Sequence, residues 1–394
     1  MNEMLAYRGA AGPLRILRRI GCCRLDLSSP RWQRRLHMVY RCVMLLFLNL
    51  FVLQFKASYY IYHQTRRDLD KMTESLLILF SGTDMIYKEC AVQARGDKIE
   101  ELLNVLRGPI FNKNIPKHKQ ILQRTAIKSE WLLNIFNYLG LVICSLWGVF
   151  PFVLYFKGKP VEFTVWFPFD ESVIPWFYVV VVFSWFQVSI CGFVNTNLDV
   201  FITHFLAQYK TQITILKLDL ESVVELAKDD ASRNSEEFTI SFKRRFRDIL
   251  EHYNEIISFA AKFQDIFDDV IAYQFLVSGW ILCTTAYRMV KVDVLSIPFL
   301  SLAMYMVCML TQSFLYCYFG NEVIYESIMD SAYAMDWLEL PVEGRRSLLI
   351  FRERVKRHIV PMAGFIIPLS ADTYIQILRA SYTFYAVLKQ TDER

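Results

Sequence analysis

Seven stretches of this chain are apolar and long enough to cross roughly 30 Å of hydrocarbon as helices, and no other feature constrains its fold as much. They fall at about 36–56, 73–92, 131–156, 173–198, 266–288, 295–319 and 366–389. The second holds Asp84 and Lys88 and the seventh Arg379, so these two also fit buried or interfacial helices. Composition points the same way, because 54% hydrophobic residues exceeds what a soluble chain carries. The Arg-rich N-terminus lacks a short apolar core followed by a cleavage site, so the first stretch is expected to act as an uncleaved anchor.

Basic loops stay cytoplasmic, which gives an expected orientation. Eight arginines precede the first stretch, from Arg8 to Arg35, and the second loop adds eight more cations from Arg95 to Lys128. The fourth and sixth loops hold Lys243-Arg244-Arg245 and the run from Arg352 to Arg357, whereas the third offers Lys157 and Lys159 and the fifth only Lys291. The N-terminus is therefore expected inside and the C-terminus outside, the reverse of a G-protein-coupled receptor. The motifs of such receptors are also missing: Asn321-Glu322-Val323-Ile324-Tyr325 lacks their proline.

The expected division is 1–35 as a cytoplasmic N-terminus, 36–198 as helices one to four, 199–265 as a cytoplasmic helical extension, and 266–319 as helices five and six. Residues 320–365 form further inner helices, 366–390 the last helix and 391–394 an extracellular tail. Two stripes support the inner helices: Ile213, Leu216, Leu220, Val223 and Ala227, then Phe242, Phe246, Ile249, Tyr253, Ile256, Phe259 and Phe263. Steps of three and four put each set on one face. Acidic residues such as Asp229, Asp230, Glu236 and Glu237 favour helix-on-helix packing over a membrane-surface layer.

Nothing in the sequence suggests an enzyme, a cofactor or a metal site. The six histidines are scattered, and phosphate-binding, nucleophile-elbow and zinc motifs are missing. Nine cysteines lie in spans or on the inner side and read as buried free thiols. Basic runs flank the spans and read as topology signals, so no nucleic-acid partner is expected. Without matching halves, an inverted-repeat transporter is disfavoured.

The spans are crowded with aromatics, including Phe80, Trp147, Phe150, Phe183, Trp185, Phe186 and Tyr305, with Tyr87 near the inner end of the second. A few polar groups accompany them, chiefly Thr83, Ser145 and Gln187. An apolar pocket with one or two hydrogen-bonding groups suits a small hydrophobic organic molecule; ordinary packing and lipid contact explain any one of these residues better, so the signal belongs to the set as a whole. The last stretch has a clearer pattern. Thr373, Gln376, Ala380, Thr383, Val387 and Gln390 share one helical face. In hydrocarbon such a stripe meets either another helix or water, so helix association and pore lining both fit.

The residues from Ala332 to Gln390 resemble the insect odorant receptors. Trp337-Leu338-Glu339-Leu340-Pro341 resembles their Trp-Tyr-x-Leu-Pro block, and Arg345-Arg346-Ser347-Leu348-Leu349 their basic-then-leucine helix. Ala363-Gly364 with Pro368-Leu369-Ser370, and the run Ile377 to Phe384, are similar to two further blocks in the same order. Trp166-Phe167-Pro168-Phe169-Asp170 is similar to a Trp-Tyr-Pro-Phe-Asp block of their third loop.

The resemblance implies an all-α membrane protein of seven transmembrane helices, with inner extensions forming an anchor domain where subunits meet. It implies an odorant-gated, non-selective cation channel, assembled as a heterotetramer with an odorant co-receptor in the plasma membrane of olfactory neuron dendrites. The last helix would line the pore, with Val387 at the constriction, Gln390 beside it, Thr391 where the co-receptor has leucine, and Thr383 and Ala380 further along the same wall. A small volatile ligand would bind among Phe80, Thr83, Tyr87, Trp147, Phe150, Phe183, Phe186, Gln187 and Tyr305. The chain lacks the co-receptor's long inner-loop insertion, so it resembles a ligand-tuning subunit. A gustatory-type receptor is the alternative, although Thr383-Phe384 followed by Gln390-Thr391 matches that family's terminal motif poorly.

Overall fold

Helices account for nearly all the regular structure, since a chain in hydrocarbon must satisfy its backbone groups within each segment. The computed structural model describes residues 4–25, 30–61, 69–158, 176–293, 296–325, 328–356 and 360–392; for residues 51, 61, 69–74, 297, 325 and 387–392 it describes the backbone alone. The helices are α1 (Leu5–Ile20), α2 (Arg31–Ile61), α3 (Leu69–Ala94), α4 (Gly96–Arg107), α5 (Pro116–Phe156) and α6 (Trp176–Glu221). They continue with α7 (Val223–Asn234), α8 (Phe238–Lys291), α9 (Ile297–Tyr325), α10 (Ile328–Ala334), α11 (Val342–Val355) and α12 (Ala371–Asp392). A small antiparallel hairpin, β1 (Met362–Ala363) with β2 (Ile367–Pro368), precedes α12.

The seven apolar stretches fall on α2, α3, α5, α6, α8, α9 and α12. Among the described residues, five long helices are apolar enough to cross a membrane unaided, beginning at Arg31, Pro116, Trp176, Phe238 and Pro298. The other two, α3 and α12, are those weakened by Asp84, Lys88 and Arg379.

At 46 and 54 residues, α6 and α8 would extend about 70 and 80 Å at 1.5 Å per residue, more than twice the hydrocarbon thickness. The surplus forms a packed helical layer. Both sequence stripes are buried there, from Ile213 to Ala227 and from Phe242 to Phe263. Phe205 stacks on Phe267 at 5.8 Å, and Phe111 meets Phe259 edge to face at 5.5 Å. The helix breaks at Ser222 rather than running on through Ala227, and α7 carries the last part of the first stripe.

The N-terminal segment, expected only as a basic flank, forms α1. Its apolar face, Leu5, Ala6, Ala10, Leu14 and Leu17, is buried, and it packs on α5 and α6. Gly9 permits the contact: a Cβ there would lie 2.5 Å from His204 Cε1. His204 fixes it, with Nε2 donating to the Ala6 carbonyl at 3.2 Å and Nδ1 accepting from Ser129 Oγ at 3.0 Å. Burial keeps this imidazole neutral by lowering its pKa to about 4. His252, which donates to Gln212 Oε1 at 2.9 Å, is lowered to about 3, chiefly by burial.

The last helix begins at Ala371, not at the expected 366, because residues 361–370 form the hairpin and its exit. Gly364 and Phe365 turn with positive φ of 63° and 55°. Helix α8 holds this turn: Phe365 N donates to Asp268 Oδ1 at 2.9 Å, and Met362 exchanges hydrogen bonds with Gln264 at 3.1 and 2.8 Å. Ser370 Oγ accepts from Thr373 N at 3.2 Å and caps α12. The Trp166 to Asp170 block lies outside the described residues.

Candidate functional site: a cavity above a buried ion cluster

Helices α3, α5, α6 and α9 line a partly open cavity of about 130 Å³, close to the 150 Å³ or so of an engineered cavity that holds benzene. Small side chains make the room. Gly140 and Cys144 come from α5, Cys191 and Gly192 from α6, and Cys308 from α9. Leu77, Ile78, Ile143, Trp147, Val188 and Met309 supply apolar walls. A hydrogen-bonded pair, Ser81 and Tyr305, joins α3 to α9 at the wall. Asn195 and Gln312 add polar edges; Gln312 is buried, and its side-chain oxygen has no partner among the described residues.

Beneath this cavity lies a group that the sequence reading did not anticipate as a unit. Lys88 is fully buried, with Nζ 2.8 Å from Asp84 Oδ2 and 2.6 Å from Asp199 Oδ1. The same ammonium donates to Asn195 Oδ1 at 2.9 Å, and Tyr316 OH donates to Asp199 Oδ1 at 2.7 Å. One cation therefore faces two carboxylates, and α3, α6 and α9 are tied together. Asn195 belongs to both the cavity wall and this cluster. The available signal was Asp84 and Lys88 one helical turn apart within an apolar stretch, since such groups in hydrocarbon require partners.

Of the residues expected at a ligand site, Trp147 and Tyr305 line the cavity. The others take different positions. Gln187 is buried next to the wall residue Val188, and its amide nitrogen has no partner among the described residues. Phe150 is half-buried on α5. Phe183 and Phe186 turn toward Phe47 of α2 at 6.5 and 6.2 Å and remain 40% and 52% exposed, as lipid-facing residues do. Thr83 bonds to the carbonyl of Phe80 at 2.9 Å, while Tyr87 OH donates to Asp269 at 2.9 Å and its ring meets Tyr273 at 4.7 Å.

Phe80 stacks on Trp280 of α8 at 6.2 Å, and Trp280 stacks on Phe384 of α12 at 5.7 Å. A second link runs through the cavity wall itself, because Tyr305, Met309 and Ile377 of α12 belong to one hydrophobic cluster. The cavity wall is thus packed toward the last helix through this cluster, and the aromatic stack ties α3 to α12 beside it.

On α12, Ile377 and Ser381 turn toward the bundle, whereas Gln376, Ala380 and Thr383 are exposed. Thr373, at the base of the stripe, is buried and donates to the Pro368 carbonyl at 2.7 Å. Most of the described stripe is therefore not used for packing within this chain. Arg379, beside the stripe, is exposed. The side chains of Val387, Gln390 and Thr391 lie outside the described residues.

A bundle of membrane helices around a small cavity, with a packed helical layer beneath, defines the class of fold. The chain belongs to the 7tm odorant receptor family, whose model matches residues 68–382. Odorant receptor Or1 of Anopheles gambiae is 22% identical over 370 residues, which is 88% of this chain and 87% of the relative. An odorant receptor coreceptor of Aedes aegypti is 26% identical over 143 residues, 36% of this chain and 30% of the relative. The fold matches that of the olfactory receptor OR5 of Machilis hrabei, solved in complex with eugenol, with a TM-score of 0.82, 14% identity and 97% of each chain covered. The structure therefore bears out the seven-helix all-α reading.

Proposed function

We propose that this chain is the ligand-tuning subunit of an odorant-gated, non-selective cation channel. It would assemble with an odorant co-receptor as a heterotetramer in the plasma membrane of olfactory neuron dendrites, N-terminus inside. The observation that carries this reading is the cavity, sized for a molecule of roughly benzene dimensions and packed against α12 through Tyr305, Met309 and Ile377. A small volatile, largely apolar ligand with one hydrogen-bonding group suits its walls. Entry of the ligand would favour the arrangement of α9 and α12 that accommodates it, and a ligand shifts such an equilibrium only by its differential affinity for the two states.

The exposed face of Gln376, Ala380 and Thr383 is consistent with a wall shared by several subunits around an axis. On that wall Val387 would form the constriction, with Gln390 and Thr391 at its outer side. The test is to record currents in cells expressing this chain with a co-receptor while applying a chemically broad odorant panel. Val387→Ala and Gln390→Ala should change conductance or ion preference. Unchanged currents from both would remove the pore assignment, and antibody access to an N-terminal tag in intact cells would overturn the orientation.

A further inference from the structure

Where α2 begins, the chain gathers positive charge around a hollow of about 550 Å³. Arg24, Arg31, Arg34, Arg35, His37 and Arg41 line it. Among the described residues, Arg24 pairs with Asp97 at 2.5 Å, while Arg31, Arg34 and Arg35 have no carboxylate partner. The Nε atoms of Arg34 and Arg41 are shielded from solvent yet make no hydrogen bond. Two contacts hold the walls in place: His37 Nε2 donates to the Arg18 carbonyl at 2.9 Å, and Arg41 Nη2 donates to Gln93 Oε1 at 3.1 Å. This is more organisation than a topology signal needs, because loop cations set orientation through their number alone.

The hollow also has a definite depth. Trp32, Leu36, Val39 and Val43 lie on a different face of the same turns and are 56% to 65% exposed, so that face meets lipid. The apolar window of α2 begins at about residue 36, level with the hollow, and a Trp at its edge is typical of a headgroup boundary. Guanidinium groups bind phosphate through paired N–H donors. Several guanidinium groups around one hollow, without a carboxylate partner among the described residues, suit a ligand with several negative charges, beyond the single net charge of phosphatidylserine.

We propose that this hollow binds the multiply phosphorylated headgroup of an inositol phospholipid, tethering α1 and α2 to the membrane surface. Basic clusters next to a membrane helix recognise such lipids at about fivefold in affinity per cation. The site is separate from the odorant cavity, and its test does not depend on channel activity or on orientation.

The full-length chain in detergent micelles would be examined by native mass spectrometry with a phosphatidylinositol bisphosphate, with phosphatidylserine and with soluble inositol trisphosphate. The bisphosphate lipid should bind about tenfold or more tighter than phosphatidylserine. Single Arg31→Gln and Arg35→Gln changes, both at exposed positions, should each weaken it about fivefold, and a triple change including Arg34→Gln about a hundredfold. A control triple of Lys117→Gln, Lys119→Gln and Arg124→Gln removes equal charge elsewhere and should leave binding unchanged. If the first triple does not fold, the two single variants decide. Equal binding of both lipids, or equal losses in both triples, would overturn the site. Trisphosphate binding as tightly as the lipid would overturn the membrane source in favour of a soluble phosphate.

Discussion

Lys88 is the residue on which local stability most depends. Its ammonium is fully buried between Asp84 and Asp199, and removing one partner of a buried ionic group leaves uncompensated charge at about 3–5 kcal/mol. Lys88→Met is therefore expected to destabilise the chain by about that amount, lowering the unfolding midpoint in detergent more than Tyr316→Phe, which removes one hydrogen bond. Thermal unfolding of the two variants side by side checks the order. The two buried histidines predict a pH dependence. Their folded pKa values, about 4 for His204 and about 3 for His252, lie below the unfolded value near 6.5, so their contribution is complete above about pH 6.5. It is lost as the pH falls from there toward 4 and 3, because the unfolded chain then binds more protons. From pH 7 to 5 each should cost about 2 kcal/mol. His204→Gln should flatten part of that slope in unfolding measured across the range.

Among the elements, α12 and its supports determine what the cavity can do. The Phe80–Trp280–Phe384 stack spans α3, α8 and α12. Trp280→Ala should leave surface expression intact yet reduce the maximal ligand-evoked current severalfold, read in the same cells. At the base, Gly320 lies so close against Leu369 that an added Cβ would overlap it. Gly320→Val is expected to displace the hairpin that starts α12, with loss of surface expression. These elements were legible from sequence to different degrees. The inner stripes could be read because a 3.6-residue period reports burial directly, as the burial from Phe242 to Phe263 bears out. Helix α1 could not, since its arginines mask the apolar face that Gly9 brings against His204. The turn at Gly364 and Phe365 falls just before the apolar window that starts at about 366, and β2 lies within that window, where hydropathy does not distinguish strand from helix.

For the whole molecule, the seven spans and the family resemblance were readable because length, hydropathy and block order are local properties. The cavity was not, since it depends on which helices meet. A search for large aromatics finds residues that fill space or face lipid, as Phe183 and Phe186 do, whereas the cavity lies where glycine and cysteine leave room. The buried cluster needed Asp199 and Lys88, 111 residues apart in sequence, to be brought together.

That dependence on small residues gives the most direct measurement of whether ligand in this cavity opens the channel. Gly192 lies on the cavity wall, and a Cβ there would have only Cys144 Sγ within 4 Å, at 3.8 Å. Leucine should therefore fill the cavity without disturbing the helix, where it is the better helix former. Concentration–response curves would be recorded for Gly192→Leu and the unmodified chain, each with a co-receptor, using an odorant that activates the latter. The expected result is a loss of sensitivity of about tenfold or more, the consequence of losing about 1.4 kcal/mol of binding, with surface expression unchanged. A superimposable curve would contradict the assignment of this cavity as the ligand site.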